Sequence, residues 1–475
     1  MDILENAKKF SELFNIVFKD GFKKAKEALK SGASVNQFMD YPLFDKEFKS
    51  GMPNFKSSFS LFNDNKEYLD YSSLFGKYNS NDSLINIGKL EGFIELKKFI
   101  ESSKELKELF FVVDDSELKY SIFYGLISDF IGGYIYKYGT RYNKNNYEKL
   151  LFPIINYLFS RKVYLDIMTP ILLLDFEIDS YKINSNIKIV KMSDTFQLSR
   201  TNVRAFNYST KNIIEGCAKY ALKISNYYLE YPINNYFIIS DSLKQYDSKT
   251  QYVINSFFIS LFLETTIYNG YAQIISVPQK WYFFVPKGDL IDIHCKSVNN
   301  YPSNLEKGTW NSEIEKLNIK QMNEVKKIFN KIINCQNKAI ELSIDRMVRS
   351  LLRDDSEDTF LDILIGIEIL LTDNEKTEVT YKLSIRVAYI MSKLNKGNNV
   401  DYRTIIKELY KYRSSIVHGN SDKIKFSTSK TLNKDCHGIA LDIFKQTLKF
   451  IILKKELLNS KNIPQEVDNM IMNEF

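Results

Sequence analysis

The stretch Leu409-Tyr410-Lys411-Tyr412-Arg413-Ser414-Ser415-Ile416-Val417-His418-Gly419-Asn420 has the pattern of a helix running to its end. Apolar and aromatic residues recur at helical spacing as far as Val417, and Gly419 then supplies the residue that most readily takes the left-handed conformation closing a helix. Arg413 and His418 stand five positions apart at that end. On an ideal helix this sets them roughly 140° apart, not stacked as an i, i+4 pair would be. His418 falls in the final turn, however, where the chain can leave helical geometry and turn both side chains toward one cleft. The C-terminal end of the helix dipole favours positive charge at that place. Cleaving RNA without a metal requires a base for the ribose 2′-hydroxyl, an acid for the leaving 5′-oxygen and a cation for the phosphorane. One Arg and one His per chain supply part of this set. A symmetric homodimer would complete it, one histidine acting as base and its twin as acid.

Outward from this stretch, the chain from about 318 to 475 patterns as helix throughout. The periodicity predicts one long helix from Lys320 to Leu352 closing at Arg353-Asp354-Asp355, a new cap at Ser356, and helices over Phe360–Leu371, Thr380–Leu394, Tyr402–Val417 and His437–Leu458. Short connections between amphipathic helices make an all-α bundle. The segment before it, 151–310, carries short β-favouring runs at 171–178, 187–190, 236–239 and 272–277, and is expected to be a mixed α/β domain and a possible sensor, with Asn299–Asn304 as linker. Residues 1–150 are expected to be mainly helical, with an N-terminal helical hairpin ending at Gly32, a loop- and strand-rich insert near 37–80, and helical segments broken at Gly132-Gly133 and at 142–146. The predicted fold class is therefore multi-domain α+β: a mixed helical and strand N-terminal region followed by a helical bundle.

Composition narrows the function classes. With 44% apolar and 26% charged residues the chain is globular, not disordered. The most apolar stretches, 120–138 and 256–277, are interrupted by Asp129 or by Glu264, Asn269 and Gln273, so no membrane anchor is expected; no secretory leader is legible, and a cytoplasmic location is expected. Cys217, Cys295, Cys335 and Cys436 lie far apart without a C-x-x-C pair, and the neighbours His294-Cys295 and Cys436-His437 lack a third ligand, so neither disulfides nor a metal site is expected. No P-loop, dinucleotide fingerprint, nucleophile elbow or H-E-x-x-H is present, and no cofactor is expected. The net charge of +7 is concentrated between 381 and 430, where eleven basic residues face three acidic ones. Such an excess suits a polyanion, although a lysine-rich solvated helix face has the same composition.

Three landmarks, in order and spacing, resemble the Apea-like branch of the HEPN superfamily. Asp362-Ile363-Leu364-Ile365-Gly366-Ile367-Glu368-Ile369-Leu370-Leu371 is similar to its A-L-E-x-L-L helix, Tyr381-Lys382-Leu383-Ser384-Ile385-Arg386-Val387-Ala388 to its Y-K-L-x-x-R-x-A helix, and Tyr410–Gly419 to its Y-x-x-R-S-x-x-V-H-G. The resemblance spans roughly 320–460, with a fainter echo around Phe176 and Ile187. It implies that Arg413 and His418 are the ribonuclease pair and that Ser414 is the polar residue following the arginine. Gly366 stands where the family has alanine, a departure that would soften the helix while leaving the acid Glu368 in place. The resemblance further implies a homodimer, a metal-independent endoribonuclease acting in antiphage defence by abortive infection, host or phage RNA (tRNA included) as substrate, and an N-terminal region that regulates it, with a phage-derived trigger.

Around the pair, Glu368 suits either an acid that orients Arg413 or another arginine, or a satisfied core carboxylate. Tyr410 and Tyr412 suit base stacking or packing. Asn420 joins them as a supporting candidate. Lys411, Arg346, Arg349, Arg353 and Arg386 are RNA-binding candidates; the arginine row at 346, 349 and 353 suits a phosphate track or a salt-bridged face, and Arg386 a core ion pair or a substrate contact. The alternative from another class is a non-catalytic module that binds RNA, nucleotide or a protein partner. A third is non-specific binding of DNA by the basic helices.

Overall fold

A computed structural model describes residues 3–38, 41–57, 68–76, 85–110, 121–201, 210–230, 243–244, 246–373, 378–394, 401–419 and 432–474. The chain is mixed α/β with a helical C-terminal region. Its two units interleave along the sequence: Met1–Ile171, Asp179–Tyr246 and Gln273–Val298 form the first, and Leu172–Ile178, Asp247–Ala272 and Asn299–Phe475 the second. A division into three consecutive domains does not describe this pattern. Among the described residues no helix is long and apolar enough to cross a membrane.

In the first unit the apolar stripe Phe10, Phe14, Val17 and Phe18 belongs to α1 (Ile3–Lys30), a single helix where a hairpin was expected. The glycine within this helix, Gly21, lies against Ile131: a Cβ there would come within 2.6 Å of Ile131 Cδ1. It serves close packing, and the helix ends where the sequence says, before Gly32 at φ +84. After α2 (Phe93–Ser102) and α3 (Lys104–Phe110), α4 (Ser121–Tyr138) runs straight through Gly132-Gly133 for the same reason; a Cβ on Gly132 would meet the backbone nitrogen of Ser72 at 2.5 Å. Phe130 of α4 receives Phe14 and Phe18 edge-on at 5.0 and 5.4 Å. α5 (Lys144–Phe159), capped by Asn143, leads into a six-stranded sheet. Its strands are β1 (Lys162–Ile171), β2 (Ser180–Lys182), β3 (Ile187–Lys191), β4 (Tyr220–Glu230), β5 (Tyr271–Pro278) and β6 (His294–Asn300), in the order β6-β5-β1-β4-β3-β2. The β1 pairings with β4 and β5 are antiparallel, as are those of β3 with β2 and β4. α6 (Asp194–Arg200) and α7 (Thr210–Gly216) lie between β3 and β4 in sequence. The expected strand at 236–239 falls outside the described residues, and Asn299 and Asn300 of the expected linker end β6.

The second unit is a helical bundle. It holds α8 (Ser248–Thr265), α9 (Ile319–Ile333), α10 (Lys338–Leu352), α11 (Ser356–Leu371), α12 (Val379–Lys393), α13 (Tyr402–Val417), α14 (Leu432–Leu453), α15 (Lys455–Leu458) and α16 (Ile463–Met472). The single helix expected from Lys320 to Leu352 is two, because Asn337 turns its side chain onto the amides of Ala339 and Ile340 and starts a new helix. α11 is capped by Asp355 instead of Ser356. α8 was not foreseen as part of the bundle. Its Ile259, Phe262 and Leu263 join Ile344, Met347, Ile363, Ile367, Leu383, Leu409 and Phe444 in one core, each such side chain gaining about 1.5–3 kcal/mol by leaving water. Lys449 of α14 also reaches Glu264 of α8 at 2.8 Å.

Gly366 has a packing cause that the sequence did not reveal. The Phe444 ring presses edge-first on α11 there, and a Cβ at 366 would stand 2.1 Å from Cζ. Since Phe444 is fully buried, the ring has no open space to yield into. Gly366→Ala is thus expected to lower stability by about 1–3 kcal/mol through overpacking, outweighing a gain of about 1 kcal/mol in helix propensity. Urea unfolding measures it; a stabilised variant would show that the ring moves freely.

Candidate functional site

α13 carries the candidate site and is fixed at both ends. Asp401 caps it, accepting from the amides of Arg403 and Thr404, and Ile406 and Leu409 bury its inner face. At the other end His418 leaves helical geometry at φ −96 and ψ 8, its amide donating to the Ser414 carbonyl at 3.1 Å, and Gly419 follows at φ +67. A residue with a Cβ would pay for that left-handed turn, so the glycine stops the helix one residue past the histidine. His418 is exposed.

Arg413 projects from the same helix toward α11. Its Nε lies 3.3 Å from Glu368 Oε1, outside hydrogen-bond geometry, and its Nη2 donates to Oε2 at 3.5 Å. Tyr410, one turn earlier, donates its hydroxyl to the same Oε1, and its ring centroid sits 5.9 Å from the guanidinium carbon. Burial, then the bond to Glu368, pushes the Tyr410 phenol well above its ordinary range, so it remains a donor. Glu368 is half-buried between them. Of its two sequence alternatives, the tertiary structure realises the one in which it meets Arg413.

Other candidates fall elsewhere. Tyr412 faces the core, edge-on to Phe360 at 4.8 Å. Ser414 and Lys411 are exposed beside the pair, and Asn420 lies outside the described residues. The arginine row of α10 does not form a continuous phosphate track. Arg346 and Arg353 close on the buried Asp362 at 2.5 and 2.6 Å, which commits two of the three guanidinium groups to an acid, while Arg349 is exposed. Arg386, 3% exposed, is a core ion pair: Nε and Nη2 grip Asp468 at 2.8 and 2.6 Å, Nη1 donates to the Leu371 carbonyl, and Nη2 reaches Asp373 at 3.0 Å. Its place as an RNA contact is corrected accordingly, because no donor edge of a guanidinium so engaged faces solvent. Cys436 and His437 touch each other (Sγ to Nδ1, 3.2 Å), and the other ring nitrogen lies 3.1 Å from the Ser356 carbonyl. Among the described residues no group of three or more His, Cys, Asp or Glu side chains is arranged to hold a metal.

Sequence reasoning missed the polar groups in the first unit. Arg200 is fully buried, satisfied by Gln197, Gln273 and the carbonyls of Glu215, Gly216 and Ala218, which pin the turn into β4. Asp292 is pushed up to about 7 by burial, and burial pulls His294, 3.7 Å away, down to about 4. Nothing local to either residue signals this, since the cause is the surrounding fold. Between the ordinary 3.8 and about 7 the folded chain keeps a proton on Asp292 that the unfolded chain has lost, so this group costs stability as pH rises through that window. Asp292→Asn is expected to gain stability over the parent at pH 8 and not at pH 4; equal effects at both, in urea unfolding, would refute the assignment.

Comparison with known proteins finds no family model, no curated protein and no solved structure that matches this chain.

Proposed function

We propose that this chain is a metal-independent endoribonuclease of HEPN type, acting in antiphage defence by abortive infection, with Arg413 and His418 as its catalytic pair and the first unit as regulator. The observation that supports the reading is the placement of both residues near the end of one helix: a partly exposed guanidinium held by Glu368, and, five residues on, an exposed imidazole where the helix stops. In the proposed reaction the ribose 2′-oxygen attacks phosphorus and the 5′-oxygen leaves. His418 of one copy takes the 2′-hydroxyl proton, His418 of the second copy gives one to the 5′-oxygen, and Arg413 neutralises the phosphorane. The products are a 2′,3′-cyclic phosphate and a free 5′-hydroxyl. Mapping RNA ends after induced expression tests this; 3′-hydroxyl ends would exclude the mechanism.

The rival reading, a binding module that retains the pair without catalysis, is favoured by the Arg413–Glu368 ion pair, which already satisfies one edge of the guanidinium. It predicts retention of RNA, nucleotide or a protein partner with no change in RNA length.

A further inference from the structure

The way Glu368 meets Arg413 decides which part of the guanidinium is offered to a ligand. Its two oxygens lie 3.3 Å from Nε and 3.5 Å from Nη2, so the carboxylate runs along the side edge. The terminal edge, formed by Nη1 and the outer hydrogen of Nη2, then points away from it as a two-donor fork of the width that matches two phosphate oxygens. Glu368 alone does not fix this arrangement, because a glutamate side chain has three rotatable bonds and a long, imperfectly angled contact to Nε. Tyr410 removes that freedom. It donates to Oε1, the oxygen that faces Nε, from a position three residues before Arg413 on the same helix face, and its ring lies beside the guanidinium.

We propose that Tyr410 is a positioning residue: acting through Glu368, it sets the edge that Arg413 presents to a phosphodiester. The phosphodiester rests on the ribonuclease reading; the orientation does not. Tyr410→Phe is the informative variant, since it removes one oxygen and keeps the packed ring.

Two measurements on the full chain separate the two claims. The first is the rate at which phenylglyoxal modifies Arg413, followed by peptide mass mapping, which needs no activity. Loss of a hydrogen bond to a charged group is expected to free the arginine and raise that rate roughly tenfold in both Tyr410→Phe and Glu368→Gln, with melting temperatures near the parent's. The second is steady-state cleavage of RNA. There Tyr410→Phe is expected to lower kcat and kcat/KM together by roughly tenfold with KM little changed, the signature of an interaction made in the transition state. In an Arg413→Lys background the same change should cost nothing further, because an ammonium has no edge to aim. Unchanged Arg413 reactivity in Tyr410→Phe, or equal rate losses in both backgrounds, overturns the proposal. A parent that cuts no RNA while Arg413 grows more reactive in Tyr410→Phe removes the ribonuclease reading and leaves the orientation standing.

Discussion

Alanine at position 418 is expected to slow RNA cleavage by about 10²- to 10⁴-fold, the usual worth of a general acid or base, and alanine at 413 by about 10²- to 10³-fold, the worth of one charge-stabilising donor. The chain has three histidines, and the other two sit in different surroundings. His294 is held neutral by burial, with a value near 4, and His437 is turned onto the Ser356 carbonyl and the Cys436 thiol. His418 alone stands exposed at the end of a helix, so no other imidazole can take over its proton. Cleavage should survive chelator, and both variants should keep the parent's melting temperature, since neither side chain belongs to the core. The composite site adds a stoichiometric test. Mixed in equal amounts with random pairing, parent and His418→Ala chains leave about one quarter of dimers with two histidines, so activity should fall to about a quarter and not to half. Undiminished cleavage in both alanine variants would sink the assignment, and a strictly proportional loss on mixing would sink the dimer.

The largest stability effect is expected at Arg386. Alanine there strips a donor from the Leu371 carbonyl and leaves Asp468 and Asp373 without their shared cation. Breaking a buried pair costs about 3–5 kcal/mol; because Asp468 is 39% exposed, water takes up part of the loss, and about 3 kcal/mol is expected. For a unit of this size that lowers the melting temperature by roughly 6–12 °C. The pH dependence is diagnostic. The hydrogen bond from Arg386 is the largest influence holding Asp373 below the ordinary carboxylate value of 3.8. The contribution is therefore complete above that value and disappears as pH falls through the lower, folded-state value. The difference between parent and variant should be larger at pH 7 than in strong acid, where the bond to the Leu371 carbonyl is what remains to be lost. Arg386→Lys, which keeps the charge and loses the fork, should fall between them. A variant as stable as the parent at pH 7 would mean the cluster is ornamental.

The bundle helices were legible in the sequence because their signals are local. Apolar stripes repeat every three or four residues and a helix stop acts locally, so Tyr402–Val417 could be bounded by its periodicity and by Gly419, while the Asp401 cap at its start emerged in the structure. The Gly132-Gly133 pair misled the same logic: at Gly132, as at Gly21 and Gly366, a neighbour comes too close for a Cβ, and a sequence shows that a glycine is present without showing what lies against it. α8 escaped for a related reason. Its burial on nearly every face gives no amphipathic stripe, and only packing reveals which core it joins.

What the sequence determined by itself was the Arg413–His418 spacing, the helix that carries both and the glycine that ends it. What only the tertiary structure decided was which charges were committed. Arg386 and Asp468 are 82 residues apart, Arg413 and Glu368 are 45, and the arginines of α10 meet their acid on the next helix. Ion pairing depends on distance in space and on how far water is excluded, and neither quantity is written in the order of residues.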